Sequence, residues 1–408
     1  HHLLRKELRE HQRVHREQQQ RIRERPEIAE ERAAVTRFQI ARGQRGDQLS
    51  VAVESRELTQ WSSVTISMSV VVPQAPAAQF PPHSPQRTGW PWTTATGQLP
   101  LSLANDASWP RVTIVTPSFN QGKFLEETIR SVLLQGYPNL EYMVIDGGST
   151  DDSVDIIRKY EPWLSFWMSE PDGGQADAIN KGFRKSTGDY LGWINSDDML
   201  YPGAIKRVVE AFRADPGAEL IYGDIDQGQF VGQDARPLFG EQMEFSEMLR
   251  TLQVPIPQMG SLWKRSVIDR IGSVDPRWHV VLDREFFTRA AEKCQIRYLP
   301  GALGFFRNQE NSKSVSQNRR WLTELPQMYQ EYFAQHDLRN AIKYLRAETM
   351  AAVFMTCASI AFRCGEKALA IGHVFRAFRA DPLVLFRRYF RMKLARVFGS
   401  FFSKWLRT

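Results

Sequence analysis

Three stretches of the chain decide the fold: RVTIVT at residues 111–116, EYMVIDGG at residues 141–148 and YLGWINSDD at residues 190–198. Each begins with a short run of β-branched or aromatic residues, which is typical of a buried strand. Each is followed by Pro, Gly, Asn or Asp residues, which favour a turn. These stretches therefore predict three strands whose carboxyl ends carry polar residues.

The sequence between these strands has the spacing of apolar residues that is typical of helices. It predicts helices at 126–134, 151–160 and 175–185, with one more strand at 164–168. Strands that alternate with helices indicate an α/β fold, with a mostly parallel sheet and helices on both faces. Ligands of such sheets bind beyond the carboxyl ends of the strands. The residues expected there are Pro117, Asp146, Glu170 and Asn195 to Asp198.

The pattern divides the chain into three segments. Residues 1–87 are rich in Arg, Glu, Gln and Pro, and predict an appendage of low order with at most a strand at 64–72. Residues 88–318 hold the alternating strands and helices. Residues 319–408 predict a C-terminal helical extension, with two helices around Gly365.

The formal net charge of the chain is +7, and its last part is strongly basic. Residues 363–408 contain two acids, Glu366 and Asp381, among many Lys and Arg residues. Such a segment favours peripheral contact with an anionic membrane face, and a solvated helix face is the alternative. No nucleic-acid partner is expected. Three cysteines without a CxxC pair, a start without an apolar signal sequence and no apolar run long enough to span a bilayer predict a cytoplasmic location.

Five motifs in order give the chain a family resemblance over roughly residues 90–316. They are TPSFN at 116–120, VIDGGSTDDS at 144–153, EPDGGQADAINKG at 170–182, GWINSDD at 192–198 and LDRE at 282–285. At these residues the chain resembles family 2 glycosyltransferases of the GT-A fold. The resemblance implies a Rossmann-like sheet, a nucleotide-sugar donor and inverting transfer of the sugar.

The SDD motif suggests a metal site. A divalent cation, Mn²⁺ or Mg²⁺, prefers oxygen ligands and neutralises a diphosphate leaving group. Asp197 and Asp198 are the predicted metal ligands, with Asp197 also beside the donor; which of the two holds the metal is left open. Many family members have an acid where this chain has Asn195. The alternative is that the two aspartates only form a turn and cap the next helix.

Several residues match positions that bind the donor in the family. Asp146 would contact the nucleobase, although an Asp-Gly-Gly-Ser turn also favours Asp for its own sake. Helix N-terminal amides after Gly174 favour phosphate. The other donor-binding candidates are Thr116, Pro117, Asp177, Asn180 and Arg307.

Asp283 matches the catalytic base of the family. The base takes the proton from the acceptor hydroxyl as that hydroxyl attacks the anomeric carbon. In the family this aspartate usually follows a Glu, whereas here it follows Leu282. Glu285 is the alternative base.

Together these features predict an inverting, metal-dependent glycosyltransferase of the hexosyltransferase class. Its donor would be a nucleotide-diphosphate sugar, UDP-sugar first, and its acceptor a saccharide or lipid-linked saccharide in cell-envelope or exopolysaccharide biosynthesis. Two alternatives remain: a nucleotidyltransferase, whose usual basic loop after the first strand is lacking here, and a non-catalytic scaffold that docks a membrane or partner. A nicotinamide enzyme is disfavoured because no GxGxxG follows the first strand.

Overall fold

The structure is a computed structural model that describes ten parts of the chain. They are residues 37–42, 49–57, 60–66, 80–97, 99–103, 107–231, 234–309, 318–334, 342 and 344–383, without side chains before residue 80. The chain divides into two compact units, His1–Val70 and Val71–Thr408. Residues 1–36 of the segment predicted to have low order, and the basic residues after 383, lie outside the described parts.

The first unit contains a three-stranded antiparallel sheet. Its strands pair in chain order and are β1 (Arg37–Arg42), β2 (Leu49–Glu57) and β3 (Gln60–Ile66). The sequence predicts one strand in this segment, at 64–72, and β3 overlaps its first residues.

The second unit is built on a nine-stranded sheet with the order β6-β5-β4-β7-β11-β9-β12-β8, and with β10 paired to β9. Its strands are β4 (Val112–Ser118), β5 (Leu140–Asp146), β6 (Phe166–Ser169), β7 (Tyr190–Trp193), β8 (Met199–Leu200), β9 (Leu220–Gly228), β10 (Arg236–Leu238), β11 (Ser261–Lys264) and β12 (Ile296–Arg307). The strands β4 to β7 run parallel to one another, and β11 runs antiparallel between β7 and β9.

Ten α-helices accompany this sheet in the described part of the second unit. They are α1 (Gly122–Leu133), α2 (Ser153–Tyr160), α3 (Gln175–Lys185), α4 (Ala204–Ala214), α5 (Phe245–Thr251), α6 (Arg265–Ile271), α7 (Leu282–Lys293), α8 (Asn318–Ala334), α9 (Arg346–Arg363) and α10 (Lys367–Ala380). Short 3₁₀ helices lie at Glu161–Trp163 and Gln258–Gly260. None of the described helices is long and apolar enough to cross a bilayer.

The parallel strands are buried on both faces, which explains their continuous apolar sequences. Every residue of β4 and β5 is buried. Successive side chains of a strand point to opposite faces, so Trp193 joins one core, with α3, α7, α8 and α9, while the next residue, Ile194, joins the other, with α1, α2 and α4.

The helices after β12 pack into the first of these cores. Tyr329 of α8 and Val353 of α9 are fully buried in the same cluster as Trp193 and Phe286. A hairpin of α9 and α10 around Gly365, whose φ is +78°, agrees with the sequence prediction. The described C-terminal helices therefore share their core with the sheet.

The alternation of strands and helices predicted for residues 111–194 is present. The differences come later in the chain: the sequence predicts separate strands at 296–299 and 303–306, whereas the structure has one strand, β12, with register shifts near Ala302. The sequence does not predict β8, β10 or α5, because two- or three-residue strands and a seven-residue helix carry too little periodicity to be recognised.

We expect two helical glycines to respond to Ala in opposite directions. A Cβ on Gly182 of α3 would lie 2.5 Å from a methyl carbon of Val115 in β4, whereas a Cβ on Gly372 of α10 would meet nothing within 4 Å. Overpacking costs about 1–3 kcal/mol, and Ala in place of a helical Gly contributes about 0.5–1 kcal/mol. Urea denaturation should show Gly182→Ala with a lower free energy of unfolding than the parent and Gly372→Ala with an equal or higher one. Equal stability of the two variants would contradict close packing of α3 on β4.

Candidate active site

A cavity of about 600 Å³ opens at the carboxyl ends of the parallel strands. Its wall is formed by the turns after β4, β5, β6 and β7, by the start of α3 and by the start of α7. Its lining residues include Pro117, Ser118, Gly147, Gly148, Asp172, Gln175, Trp193, Asn195, Asp197, Gln258, His279, Asp283 and Gln309.

Asp197 brings a carboxylate to this cavity. Its Oδ2 accepts a hydrogen bond from Gln309 Nε2, and its backbone oxygen accepts one from Arg307 Nε at 3.0 Å. Arg307 is buried and does not line the cavity. Its guanidinium pairs with Glu127 and lies 4.9 Å from the ring centroid of Phe124. The predicted donor ligand Arg307 is therefore placed to hold the backbone of Asp197.

Asp198 points into the protein rather than into the cavity. It is completely buried, with Oδ2 accepting from Gln258 Nε2 at 2.6 Å and Oδ1 from the backbone N–H of Arg307 at 3.0 Å. Burial, with the negative charge of Asp197 beside it, raises the pKa of Asp198 well above the ordinary range. Of the two predicted metal ligands, the structure brings Asp197 to the cavity and Asp198 to the interior.

Asp146 holds the turn after β5. Its buried carboxylate accepts hydrogen bonds from Gly148 N at 3.1 Å, Ser149 N at 2.8 Å, Ser149 Oγ at 2.6 Å and Ser169 Oγ at 2.7 Å. Gly148 has φ +82°, which favours glycine. Asp146 does not line the cavity, whereas the backbone of the turn that it fixes, at Gly147 and Gly148, does.

Asp283 is the second residue of α7 and lines the cavity. It comes later in the chain than the strand ends that form the rest of the wall. Its side chain is exposed and opens on the cavity. Desolvation by the protein atoms around it raises the pKa of Asp283, and the backbone N–H and guanidinium of Arg284 oppose the rise. The N–H of Arg284 donates to Asp283 Oδ1 at 2.7 Å. A carboxylate with a raised pKa is a stronger base than an ordinary aspartate.

Glu285, the alternative base, lies outside the cavity. Both of its oxygens accept from Arg289, at 2.6 and 2.8 Å, in a bidentate ion pair. Arg289 in turn donates to the backbone oxygens of Ile271 and Ser273. Glu285 therefore joins α7 to the end of α6.

Three more predicted donor ligands also lie outside the cavity lining. Thr116 is buried and shares a 3.0 Å hydrogen bond with the hydroxyl of Tyr142. Asp177 accepts from Gly173 N at 3.1 Å and pairs with Lys181 at 3.3 Å. Asn180 bridges to the backbone of Val274, donating to its oxygen at 2.7 Å and accepting from its nitrogen at 3.1 Å. Pro117 does line the cavity.

The cavity also contains polar residues that the sequence analysis does not single out. Gln175 donates to Asn195 Oδ1 at 2.7 Å, which joins the start of α3 to the turn after β7. Asp172 and Gln309 lie shortly after β6 and β12. Their position after a strand could have identified them from the sequence as residues of the site. Gln258 lies in a three-residue 3₁₀ helix without any such signal.

Four buried polar atoms of the cavity lining lack a hydrogen-bond partner among the described residues. They are Ser118 Oγ, Trp193 Nε1, Gln258 Oε1 and His279 Nδ1. Buried polar groups are nearly always hydrogen-bonded in proteins. A ligand with hydroxyl groups could satisfy both the donor on Trp193 and the acceptor on Gln258, because a hydroxyl group is donor and acceptor at once.

The chain is similar to known glycosyltransferases. The sequence model of the family described as "Glycosyl transferase family 2" matches residues 113–261. An uncharacterized glycosyltransferase of Mycobacterium tuberculosis is 35% identical over 190 residues, which are 46% of this chain and 71% of the relative. A PGL/p-HBAD biosynthesis glycosyltransferase of Mycobacterium bovis is 24% identical over 223 residues, 53% of this chain and 84% of the relative.

A solved structure shows the fold. Residues 1–349 of TarS from S. aureus, in complex with UDP-GlcNAc, are similar with a TM-score of 0.51 and 18% identity over 69% of this chain and 88% of TarS 1–349. This likeness confirms the prediction of a GT-A fold with a mostly parallel sheet and a C-terminal helical region.

The family match also separates the alternatives, since it favours a transferase of sugars over a nucleotidyltransferase. The motifs in the cavity, the extent of the match to the M. tuberculosis relative and the fold agree with one another. This chain belongs to glycosyl transferase family 2.

Proposed function

We propose that this glycosyltransferase moves a hexose, with inversion, from a UDP-sugar to a hydroxyl group of a saccharide or lipid-linked acceptor. The observation that carries the proposal is that two carboxylates from distant parts of the sequence, Asp197 and Asp283, line one cavity. Its volume of about 600 Å³ falls in the range of small-molecule sites. In this proposal Asp197 serves the diphosphate of the donor and Asp283 serves the acceptor hydroxyl.

The turns after β4 and β5 are the proposed nucleoside side of the cavity. Pro117 and Ser118 follow one strand, and the backbone of Gly147 and Gly148 follows the next. A Cβ at Gly147 would lie 2.9 Å from the carboxylate of Asp172, so this turn packs closely against the residues that follow β6. TarS was solved with UDP-GlcNAc, and a uracil donor is the first choice here for that reason.

The residues present fit a divalent cation that shares its ligands with a diphosphate. Mg²⁺ and Mn²⁺ in such sites are bound through one or two carboxylates together with phosphate oxygens rather than by a full protein cage. Within the described ranges no cluster of three His, Cys, Asp or Glu residues could hold a metal alone. The carboxylate of Asp197 would hold the ion, which supplies neutralisation of the leaving diphosphate when bound. Asp198 would serve by fixing the turn that presents Asp197.

Asp283 is the proposed catalytic base. Its carboxylate takes the proton of the acceptor hydroxyl while that oxygen forms a bond to the anomeric carbon. The bond between the anomeric carbon and the diphosphate oxygen breaks, and the nucleoside diphosphate leaves with the electron pair. Attack from the face opposite the leaving group inverts the anomeric centre. Since Glu285 is held by Arg289, we assign the base to Asp283 alone.

The proposed setting is the assembly of a cell-envelope glycan or exopolysaccharide at the cytoplasmic face of a membrane. The M. bovis relative is named a PGL/p-HBAD biosynthesis glycosyltransferase, which supports a role in glycan biosynthesis. Supporting this setting, the outer face of α10 combines apolar and basic residues. Ile371 and Phe375, one helical turn apart, are 47% and 70% exposed, and Arg376 and Arg379 are exposed beside them.

This face of α10 suits an anionic lipid surface better than another copy of the chain. The acids of the hairpin are not available on it, because Glu348 pairs with Arg250 at 3.5 Å, Glu366 pairs with Arg319 at 2.8 Å and Asp381 is buried. The same face on a second copy would be cationic and would repel it. Apolar side chains that enter the interface, with basic residues near anionic headgroups, are typical of peripheral membrane helices.

We expect Asp197→Asn and Asp283→Asn to lower UDP release from a UDP-sugar by at least about 100-fold, because a metal-held leaving group and a general base each contribute on this scale. The assay offers UDP-glucose, UDP-galactose, UDP-GlcNAc and GDP-mannose with Mn²⁺. Asp283→Asn should bind its donor as the parent does in a thermal-shift titration, whereas Asp197→Asn should bind it more weakly when Mn²⁺ is present.

Glu285→Gln and Asp177→Asn are the matched controls, since both carboxylates lie outside the cavity. They should keep activity within a few-fold of the parent. Full activity of Asp283→Asn would contradict the assignment of the base. Full activity of both Asp197→Asn and Asp283→Asn would contradict the proposed function.

The activity should fall at acidic pH as Asp283 becomes protonated. Desolvation raises the pKa of Asp283 in the free protein, so the acid limb of kcat/KM should lie above about 3.9, the ordinary value for Asp. The guanidinium of Arg284 lowers this pKa, and Arg284→Gln should therefore move the limb to higher pH. Arg277→Gln, which removes an exposed cation elsewhere, should leave it in place. A limb that moves to lower pH in Arg284→Gln would contradict the prediction.

We expect the chain to co-sediment with phosphatidylcholine vesicles that contain phosphatidylglycerol, and to dissociate as salt is raised, because charge drives the contact. Phe375→Ser combined with Arg376→Gln and Arg379→Gln should weaken binding at least about tenfold. Phe239→Ser, which removes an equally exposed aromatic residue outside α10, is the control. Equal binding to neutral vesicles, or no loss in the triple variant, would rule out this surface.

A further inference from the structure

A buried acid of α8, Glu324, reaches back to the chain just before the proposed catalytic base. It is 7% exposed, and its Oε2 accepts hydrogen bonds from the backbone N–H groups of His279, at 3.0 Å, and Val280, at 2.9 Å. Its other oxygen lies 3.5 Å from His279 Nδ1 and 3.2 Å from Arg320 Nε. This helix lies outside residues 113–261, which the family model matches.

The chain at His279 and Val280 has no other secondary structure to satisfy these amides. Residues 279–281 are bends that lead into α7, and Val280 is 7% exposed. A buried N–H group without an acceptor loses its hydrogen bond to water and gains none in return, which is strongly unfavourable. One carboxylate oxygen on α8 satisfies two of them, so the path of this segment depends on a residue that is about 45 positions later in the chain.

Asp283 follows directly on this segment. It is the second residue of α7, so the place where α7 begins determines where its carboxylate lies in the cavity. His279, whose N–H is bound by Glu324, also lines the cavity. Glu324 itself does not line it. A displacement of a catalytic group by about 1 Å can cost on the order of 100-fold in rate.

We infer that Glu324 is a positioning residue for the reaction: by binding the amides of His279 and Val280 it sets the start of α7 and thereby the position of Asp283. The inference rests on the proposed role of Asp283 as base. It also extends the catalytic unit beyond residue 318, because α8 becomes part of the active site rather than an addition to it.

The neighbouring ion pairs of α8 provide controls, because they join side chains to one another and do not bind the backbone N–H groups of His279 and Val280. Glu331, on the same helix, pairs with the side chain of Arg277 at 3.0 Å and binds no backbone near α7 in the described residues. Arg320 pairs with Glu324, so Arg320→Gln would remove a charge partner and leave the two amides bound. The inference requires that residue 324 accept hydrogen bonds from the backbone N–H groups of His279 and Val280. It does not require a negative charge there. Glu324→Gln keeps a carbonyl oxygen that can accept from both.

The experiment measures UDP release for the parent, Glu324→Ala, Glu324→Gln, Glu331→Ala and Arg320→Gln, with the UDP-sugar that the parent turns over and saturating Mn²⁺. Glu324→Ala should lower kcat by about 10- to 100-fold and leave the KM for the donor within about twofold. Glu324→Gln should regain most of the lost kcat, and the two controls should stay within about threefold of the parent. Hydrogen exchange of the peptide that covers residues 279–281 should speed up in Glu324→Ala and stay slow in Glu324→Gln.

Three results would overturn the inference: a kcat of Glu324→Ala within twofold of the parent, an equal loss in Glu324→Gln and Glu324→Ala, or unchanged exchange at residues 279–281. The exchange measurement needs no turnover. If Asp283→Asn retained activity while the exchange results came out as expected, the assignment of the base would fall and the contact of Glu324 with this segment would stand. Circular dichroism at the assay temperature confirms that each variant is folded before its rate is compared.

Discussion

The site depends on one buried carboxylate. Asp198 accepts hydrogen bonds from Gln258 and from the backbone of Arg307, while its own backbone oxygen accepts from Thr128 of α1 at 2.7 Å. A buried carboxyl group needs such partners, because an unpaired one would cost several kcal/mol. These contacts tie the turn after β7 to α1, to the 3₁₀ helix and to β12. Asp197 is presented to the cavity because its neighbour is held in this way.

The same principle recurs around the cavity: polar residues that the sequence marks as functional are often the ones that shape the backbone. Asp146 fixes the turn whose glycines line the cavity, Asn180 bridges to Val274, and Arg307 holds the backbone of Asp197. Fewer of the predicted site residues therefore face the cavity itself. Asp197 and Asp283 are the carboxylates among them to which we assign a role in the reaction. A rigid surround of this kind is what keeps reacting groups in place without reorganisation during the reaction.

Features that depend on neighbouring residues in the sequence could be predicted, whereas features that depend on contacts between distant residues could not. The period of the strands and helices is local, so the parallel part of the sheet, from β4 to β7, is predictable, and so is the location of a site at its carboxyl ends. Which of two adjacent aspartates faces the cavity is not local. It depends on Gln258 and Arg307, which are about 60 and 109 residues away. The ion pair of Glu285 with Arg289 spans one helical turn and could have been expected from an i,i+4 spacing. The contact of Glu324 with residues 279–280 could not.

The aromatic cluster behind the cavity has a consequence for the order in which the protein is made. Trp193 stacks on Phe287 with ring centroids 5.5 Å apart and meets Trp263 and Phe286 edge-on, so one wall of the cavity is packed against parts of the chain that are synthesised much later. At roughly 5–20 residues per second, the ribosome needs on the order of ten seconds to proceed from Asp198 to the end of α8. A nascent chain that already carries Asp197 therefore lacks the wall, the base and the helix behind them. Such a chain exposes the edge of β7 and apolar surface until translation has passed α8, which makes this interval the period when chaperones would be most needed.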